Sequence, residues 1–352
     1  MKDKRLRRLR NAFISLAIIC MTPLCENGHP LNGARPAMIE AGQEFMCVID
    51  LGNDMYDSHG LETGMHYELL KRFAKDNRCS VRIRLADKGE DILDSLSKGK
   101  IDMAVVHNED TAGHDGVVLS RDVTNCTTWA LKSSDTEAVR HINHWIGHIK
   151  ASSEFSTISK SFKVSDPIKK AAKGLKADLI SPYDDLIRKY ASLLGWDWRM
   201  LAAVVYQESR FAISSRSHRG ASGLMQVMPF TGKSYGVEDL LDPEENLKAG
   251  TGHLIRLQKQ LTGCGVPHEE LVKFTLAAYN AGEGRIADCR NFAKAQNRNS
   301  NSWDEIVSII PLMREDSILD EESVKLGKFQ GHETIAYVSS IMEIYDAFCS
   351  IR

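Results

Sequence analysis

One acidic side chain in this sequence stands where an acidic side chain is costly. After Asp197, which is placed to cap a helix, Trp198, Leu201, Ala202, Val204 and Val205 recur with a helical period. Glu208 follows Val205 by three residues, Val204 by four and Leu201 by seven, so helical geometry puts it on their apolar face. Surface glutamates are far commoner, but a carboxyl on a core face suffers desolvation unless it has a partner or a task. Burial disfavours the charged form and raises the pKa, as a general acid working near neutral pH requires. From Ser209 to Val237 there is no Asp or Glu, so no local second carboxylate is at hand as nucleophile or base.

Further along, short strings accompany this glutamate. Glu208-Ser209, Gly223-Leu224-Met225-Gln226, Ala278-Tyr279-Asn280, and Glu333-Thr334 with Tyr337 occur in the order and approximate spacing of the lysozyme-like lytic transglycosylases of family 1, which this half of the chain resembles. Each string alone is weak, whereas four in succession across a helical stretch are specific. The resemblance implies that Glu208 is the single catalytic acid/base, that Ser209 orients substrate or carboxylate, and that Tyr337 brings its hydroxyl near Glu208. Gly220 and Gly223 allow a tight loop from which Met225 and Gln226 can line a groove, the plain alternative being a loop that packs a methionine. Tyr279 and Asn280 suit saccharide contacts, although their place before Gly282 also suits a helix C-cap.

With one carboxylate, the substrate must supply the rest. The resemblance implies that Glu208 protonates the oxygen between N-acetylmuramic acid and N-acetylglucosamine in peptidoglycan glycan strands while the substrate's acetamido group stabilises the anomeric carbon. The muramic 6-hydroxyl then closes a 1,6-anhydro ring, and no cofactor is needed. A lysozyme-type hydrolase would use the same acid with water, and a non-catalytic cell-wall sensor would merely hold glycan.

Other clusters carry blander explanations. His141, His144 and His148 share a helical face and could ligate zinc, but Ile142, Trp145, Ile146 and Ile149 form the stripe of an ordinary packing helix; no metal is expected. Asp242-Pro243-Glu244-Glu245 is a helix start, and Gly250 and Gly252 allow close helix packing. Gly282-Glu283-Gly284 lacks the third glycine and preceding strand of a nucleotide loop. Beyond the leader, cysteines stand at 47, 79, 126, 264, 289 and 349, and Cys264 with Cys289 is the best single pairing because both fall in one domain.

The elements that must hold Glu208 read as two domains, α/β followed by all-α. Residues 182–352 read as helices separated by glycine and asparagine loops, including Tyr183 to Leu194, ended by Gly195. Residues 40–165 alternate strand (Phe45 to Leu51), helix (Tyr67 to Lys75), strand (Val81 to Leu85), helix (Ile92 to Lys98) and strand (Ile101 to Val106), an α/β unit with a parallel sheet. Gly64 to Leu70 and Ser97 to Ala104 resemble the periplasmic solute-binding proteins of amino-acid uptake, which are two-lobed. Only one lobe is present: Val118-Leu119-Ser120 leads almost directly to Trp129-Ala130-Leu131-Lys132, which resembles the strand that normally returns from a second lobe, and Glu137 to Phe162 match the closing helices. Thr111 is followed by Ala112-Gly113-His114-Asp115, with no arginine before Arg121 to grip a ligand carboxylate. The implied module is a single solute-binding-protein lobe that has lost amino-acid capture and serves docking or regulation by a ligand or protein, followed by a lysozyme-like transglycosylase domain. Residues 166–181, rich in lysine, read as a solvated, partly helical linker.

At 352 residues the chain accommodates both domains, and 45 basic against 47 acidic residues leave no global field for nucleic acid. Residues 1–25 are the exception: Lys2, Lys4, Arg5, Arg7, Arg8 and Arg10 precede an apolar run from Ala12 to Leu24. The run is shorter than the ~20 residues of a comfortable span and suits an export signal, with lipid attachment at Cys20 or Cys25 or an uncleaved anchor as the two views. The expectation is a periplasmic protein attached to a membrane, as an outer-membrane lipoprotein or peripherally.

Overall fold

The computed structural model describes residues 37–51, 59–109, 114–163 and 165–351. The leader with Cys20 and Cys25, and Thr111 to Gly113, lie outside the described residues. The apolar run Glu44–Ile49 forms β1, a strand covered on both faces, and Ser80–Leu85 forms β2, in which Val81, Ile83 and Leu85 are buried and Arg82 faces solvent. With β3 (Met103–His107), β4 (Val117–Leu119) and β5 (Thr127–Lys132) they make one sheet of order β2-β1-β3-β5-β4. Cys47 pairs with Met103 in parallel, as Glu44 does with Ser80, but Ala104 and Ala130 meet antiparallel. The sheet is therefore mixed, not parallel. The short return between β4 and β5 carries no crossover helix, and without one neighbouring strands can only run antiparallel.

Helices cover both faces. On one side α1 (His59–Asn77), which starts well before the expected Tyr67, meets α3 (Thr136–Lys150) and α4 (Ser153–Phe162), with α2 (Ile92–Ser97) on the other. Phe73 sits edge-on to Phe45, Trp129 and Trp145, with ring centroids 6.0, 5.8 and 5.2 Å apart. His141 turns inward to Asn77 Oδ1 at 2.7 Å while His144 and His148 stay exposed, so the three imidazoles share no site. No group of three metal-ligating side chains occurs among the described residues.

The remaining chain is helical: α5 (Pro167–Ala172), α6 (Asp184–Leu194), α7 (Trp198–Ser209), α8 (Pro229–Ser234), α9 (Pro243–Gly263), α10 (His268–Ala281), α11 (Glu283–Ala295), α12 (Trp303–Ile309), α13 (Asp316–Leu319) and α14 (His332–Ser350). Gly195, at φ +75°, ends α6, and Asp242 caps α9 by accepting from the Glu244 and Glu245 amides. α7 packs against α6 and α14, and α10 against α9, α11 and α14. Residues 166–181 are not simply solvated. Asp166 caps α5 and accepts from Tyr206, the Ala177 amide donates to the Ile351 carbonyl, and Ile180 is fully buried.

The Cys264–Cys289 bond does not form. Cys264 lies exposed at the end of α9 and Cys289 is buried in α11, and all six cysteines described are free thiols. The chain from Ala37 onward is one compact unit. Its two halves are joined by the Tyr67 hydroxyl donating to Asp242 at 2.9 Å, by Arg216 with Asp87 at 3.6 Å, and by Gly64 against Tyr183. Among the described residues no helix is long and apolar enough to cross a membrane.

Candidate active site

Glu208 sits in the last turn of α7. The helix is buried almost all round, with Leu201, Val204 and Val205 fully enclosed and Met200, Ala202, Ala203 and Tyr206 buried as well, so it is a central helix rather than a one-faced one. It stops abruptly. Arg210 and Phe211 both adopt positive φ, +52° and +66°, a conformation costing non-glycine residues about 1–2 kcal/mol each. Arg210 is held there by bonds from its guanidinium to the Tyr206 hydroxyl (3.1 Å) and from its amide to the Tyr206 carbonyl (2.9 Å).

The carboxyl itself is half-buried, enclosed by protein yet open enough to be reached. Tyr337, from the second turn of α14, donates to Glu208 Oε1 at 2.5 Å. Burial pushes the Glu208 pKa up to about 7, and the Tyr337 hydrogen bond pulls in the opposite direction without overcoming it. No other carboxylate contributes to that shift among the described residues. Burial and the neighbouring Glu208 charge together hold the Tyr279 and Tyr337 phenols well above their ordinary range, so both remain hydroxyl donors.

The other sequence-derived site residues divide by where their polar atoms go. Tyr279, in the last turn of α10, donates to the Met225 carbonyl at 2.8 Å and packs beside His253, whose pKa is lowered by burial and by Arg256. Ser209 is buried, its hydroxyl 2.9 Å from the Leu224 carbonyl and 3.1 Å from that of Val205. It ties the loop to the helix and does not face a groove. Met225 is fully buried, its side chain filling the space left by Gly250, so the methionine-packing alternative holds and its side chain does not line the groove. Gln226, at φ +47°, gives its amide hydrogens to the Ser215 and Gly223 carbonyls, both at 3.0 Å, rather than leaving them for a ligand. Asn280 is exposed and accepts from Thr334 at 2.8 Å, which joins α10 to α14.

Glu208, Tyr279 and Tyr337 thus form the centre, and Ser209, Met225, Gln226 and Asn280 build the walls that hold it. Sequence reasoning missed Asn246, one turn into α9. It is fully buried, accepts from the Met225 amide, and donates to the Ser222 and Leu240 carbonyls, each at 2.8 Å. Its signal was present: an asparagine preceding Leu247, Ala249 and Gly250 on a helix face that packs inward. Chemically, the arrangement offers one carboxylic acid that is partly protonated near pH 7, able to give a proton and then take one back, with no second carboxylate acting on it among the described residues.

Residues 185–303 match the family described as Transglycosylase SLT domain. The chain is 32% identical over 224 residues to membrane-bound lytic murein transglycosylase F of Desulfosudis oleivorans, covering 62% of this chain and 48% of that protein. It is 29% identical over 274 residues to the protein of the same name from Aeromonas hydrophila, covering 73% of this chain and 53% of that one. The chain spans about half the length of the curated relatives it matches. Among solved structures, the 70 kDa soluble lytic transglycosylase of Escherichia coli aligns over 60% of this chain and 33% of its own at 22% identity, with a TM-score of 0.35.

Proposed function

We propose that this protein is a peptidoglycan lytic transglycosylase in which Glu208 is the single acid/base. The observation that carries the proposal is a half-buried carboxyl with its pKa raised to about 7, hydrogen-bonded by Tyr337 and influenced by no second carboxylate among the described residues. At neutral pH a substantial fraction of Glu208 carries a proton, which it gives to the oxygen bridging N-acetylmuramic acid and N-acetylglucosamine as the bond to the anomeric carbon breaks. The substrate's acetamido group stabilises the positive anomeric carbon. The Glu208 carboxylate, its charge favoured by the Tyr337 hydroxyl, then takes the proton of the muramic 6-hydroxyl as that oxygen bonds to the anomeric carbon. Protons balance without water, and the product ends in a 1,6-anhydro ring. Tyr279 and Asn280 stand at the same end of α10 and would border bound glycan.

The α/β half is read as a single solute-binding-protein-like lobe whose role is docking or regulation, supported by its strand order and by its packing on the N-terminal end of α9. The names of the curated relatives support attachment to a membrane, and with a cell-wall substrate they support a periplasmic location. The decisive experiment digests purified sacculi with the protein and weighs the products. Anhydro-ended fragments from the wild type and none from Glu208→Gln are expected. Reducing ends would make the protein a lysozyme-type hydrolase, and unchanged activity of Glu208→Gln would refute the assignment.

A further inference from the structure

We propose that Asn246 is a positioning residue for glycan cleavage, a role that rests on the function proposed above. The loop 222–226 has no regular secondary structure, and its backbone contacts, the isolated bridges of Ser222 to Arg216 and Val227 and the Gly223 amide to the Ser215 carbonyl, stay within residues 215–227, so its place against the helices is set by side chains. Asn246 sets it from below. Its Oδ1 receives the Met225 amide, and its Nδ2 supplies both hydrogens, one to Ser222 near the start of the loop and one to Leu240 on the approach to α9. One turn further along α9, Gly250 leaves the space that the Met225 side chain occupies. Asn246 and Gly250, four residues apart on one helix face, therefore hold the backbone and the side chain of the same stretch.

That stretch is the wall of the site. The Leu224 carbonyl receives Ser209, next to Glu208, and the Met225 carbonyl receives Tyr279. The requirement for glycine at 223 has the same origin: a methyl group there would overlap Asn246 Nδ2 and the Leu240 carbonyl. If the asparagine amide is lost, the loop can lift, the Tyr279 hydroxyl loses its acceptor, and water reaches Glu208. The titratable groups acting on Glu208 are Tyr337 from α14 and, by its own response to the Glu208 charge, Tyr279 from α10. Neither touches Asn246, so any change in the titration of Glu208 on altering Asn246 must travel through the loop.

The test uses the full chain on purified sacculi with Asn246→Ser, Asn246→Asp and, as a control, Thr251→Ala. Thr251 is buried on the same helix, and its hydroxyl bonds only carbonyls of α9 itself. Turnover per folded molecule is expected to fall about tenfold or more in both Asn246 variants. In Asn246→Ser the alkaline limb of the pH profile is expected to move down by about half a unit as Glu208 becomes better solvated. Asn246→Asp should recover relative to wild type below about pH 5, where a protonated carboxyl again donates one hydrogen bond. Thr251→Ala should lower the melting temperature and leave the limb in place. Asn246 variants that behave like Thr251→Ala, or that lose their cooperative unfolding transition altogether, would overturn the positioning role. A wild type that releases no glycan refutes the proposed function and this role with it, whereas an active wild type with unmoved variants removes only the role.

Discussion

At Glu208 two influences of opposite sign meet on one side chain. Burial raises its pKa to about 7, and the Tyr337 hydroxyl, by bonding the charged form, keeps it from rising further. Acid catalysis needs the proton, so the cleavage rate should decline as pH rises through about 7. The sign for Tyr337→Phe follows directly: removing a bond that favours the carboxylate raises the pKa, so the alkaline limb should move to higher pH. The rate at the optimum should drop about tenfold or more, because a hydrogen bond to a charged group is worth about 1.5–3 kcal/mol. A pH–rate profile of sacculus solubilisation checks both. A limb that stays in place, or moves down, would mean that this bond does not govern Glu208 in the working enzyme.

The loop after α7 shows what an element contributes when it has little regular structure. Arg210, Phe211 and Gln226 hold positive φ around Glu208 and Gly223 does so at +77°, so four of the positions that shape this turn are backbone conformations the surrounding bonds must enforce. Gly223→Ala is expected to cost about 2 kcal/mol or more, from strain at positive φ together with overlap against Asn246 and Leu240. Thermal unfolding measures the loss, and activity at a temperature where the variant is folded should still fall, since the displaced loop carries the acceptors of Ser209 and Tyr279. A variant as stable and active as wild type would show that the loop yields without consequence.

Over the whole molecule, the α/β half rests on the helical half through a contact that is not fully satisfied. The Tyr183 hydroxyl is buried against Gly64 and Phe162 without a hydrogen-bond partner among the described residues. An unmade buried hydrogen bond costs about 1–3 kcal/mol, so Tyr183→Phe should leave the protein as stable or stabilise it by about 1 kcal/mol in denaturant unfolding. Destabilisation would mean that the hydroxyl has a partner in solution. The other contacts, Tyr67 with Asp242 and Arg216 with Asp87, join the lobe to the N-terminal end of α9 and to the loop after α7, the same two elements that frame the active-site loop.

Much of this was legible before any coordinates. Helical periodicity located α7 and put Glu208 beside its apolar positions, Asp197, Asp242 and Gly195 marked helix ends, and the absence of acidic residues after Ser209 already argued for one carboxylate. These are local properties, decided within a few residues by backbone sterics, capping and the apolar period. What tertiary structure alone decided is where polar atoms of the loops point. The sequence suits Met225 and Gln226 to a groove and Ser209 to orienting substrate or carboxylate, whereas the Ser209 hydroxyl and the Gln226 amide bond backbone carbonyls, the Met225 side chain packs in the core, and Asn246, which no motif singled out, bonds the loop. Gln226 bonds carbonyls 11 and 3 residues away, but the bonds that close the site span more of the chain, 15 residues from Ser209 to Leu224, 21 from Met225 to Asn246, 54 from Met225 to Tyr279 and 129 from Glu208 to Tyr337. No local rule fixes a side chain whose direction depends on such a partner. The mixed sheet and the unpaired Cys264 and Cys289 have the same cause, since strand direction and thiol pairing depend on which distant segments meet. The sequence by itself determined the acid and the helix that carries it; the fold decided how the acid is enclosed, because enclosure is made of contacts between segments that are neighbours only in space.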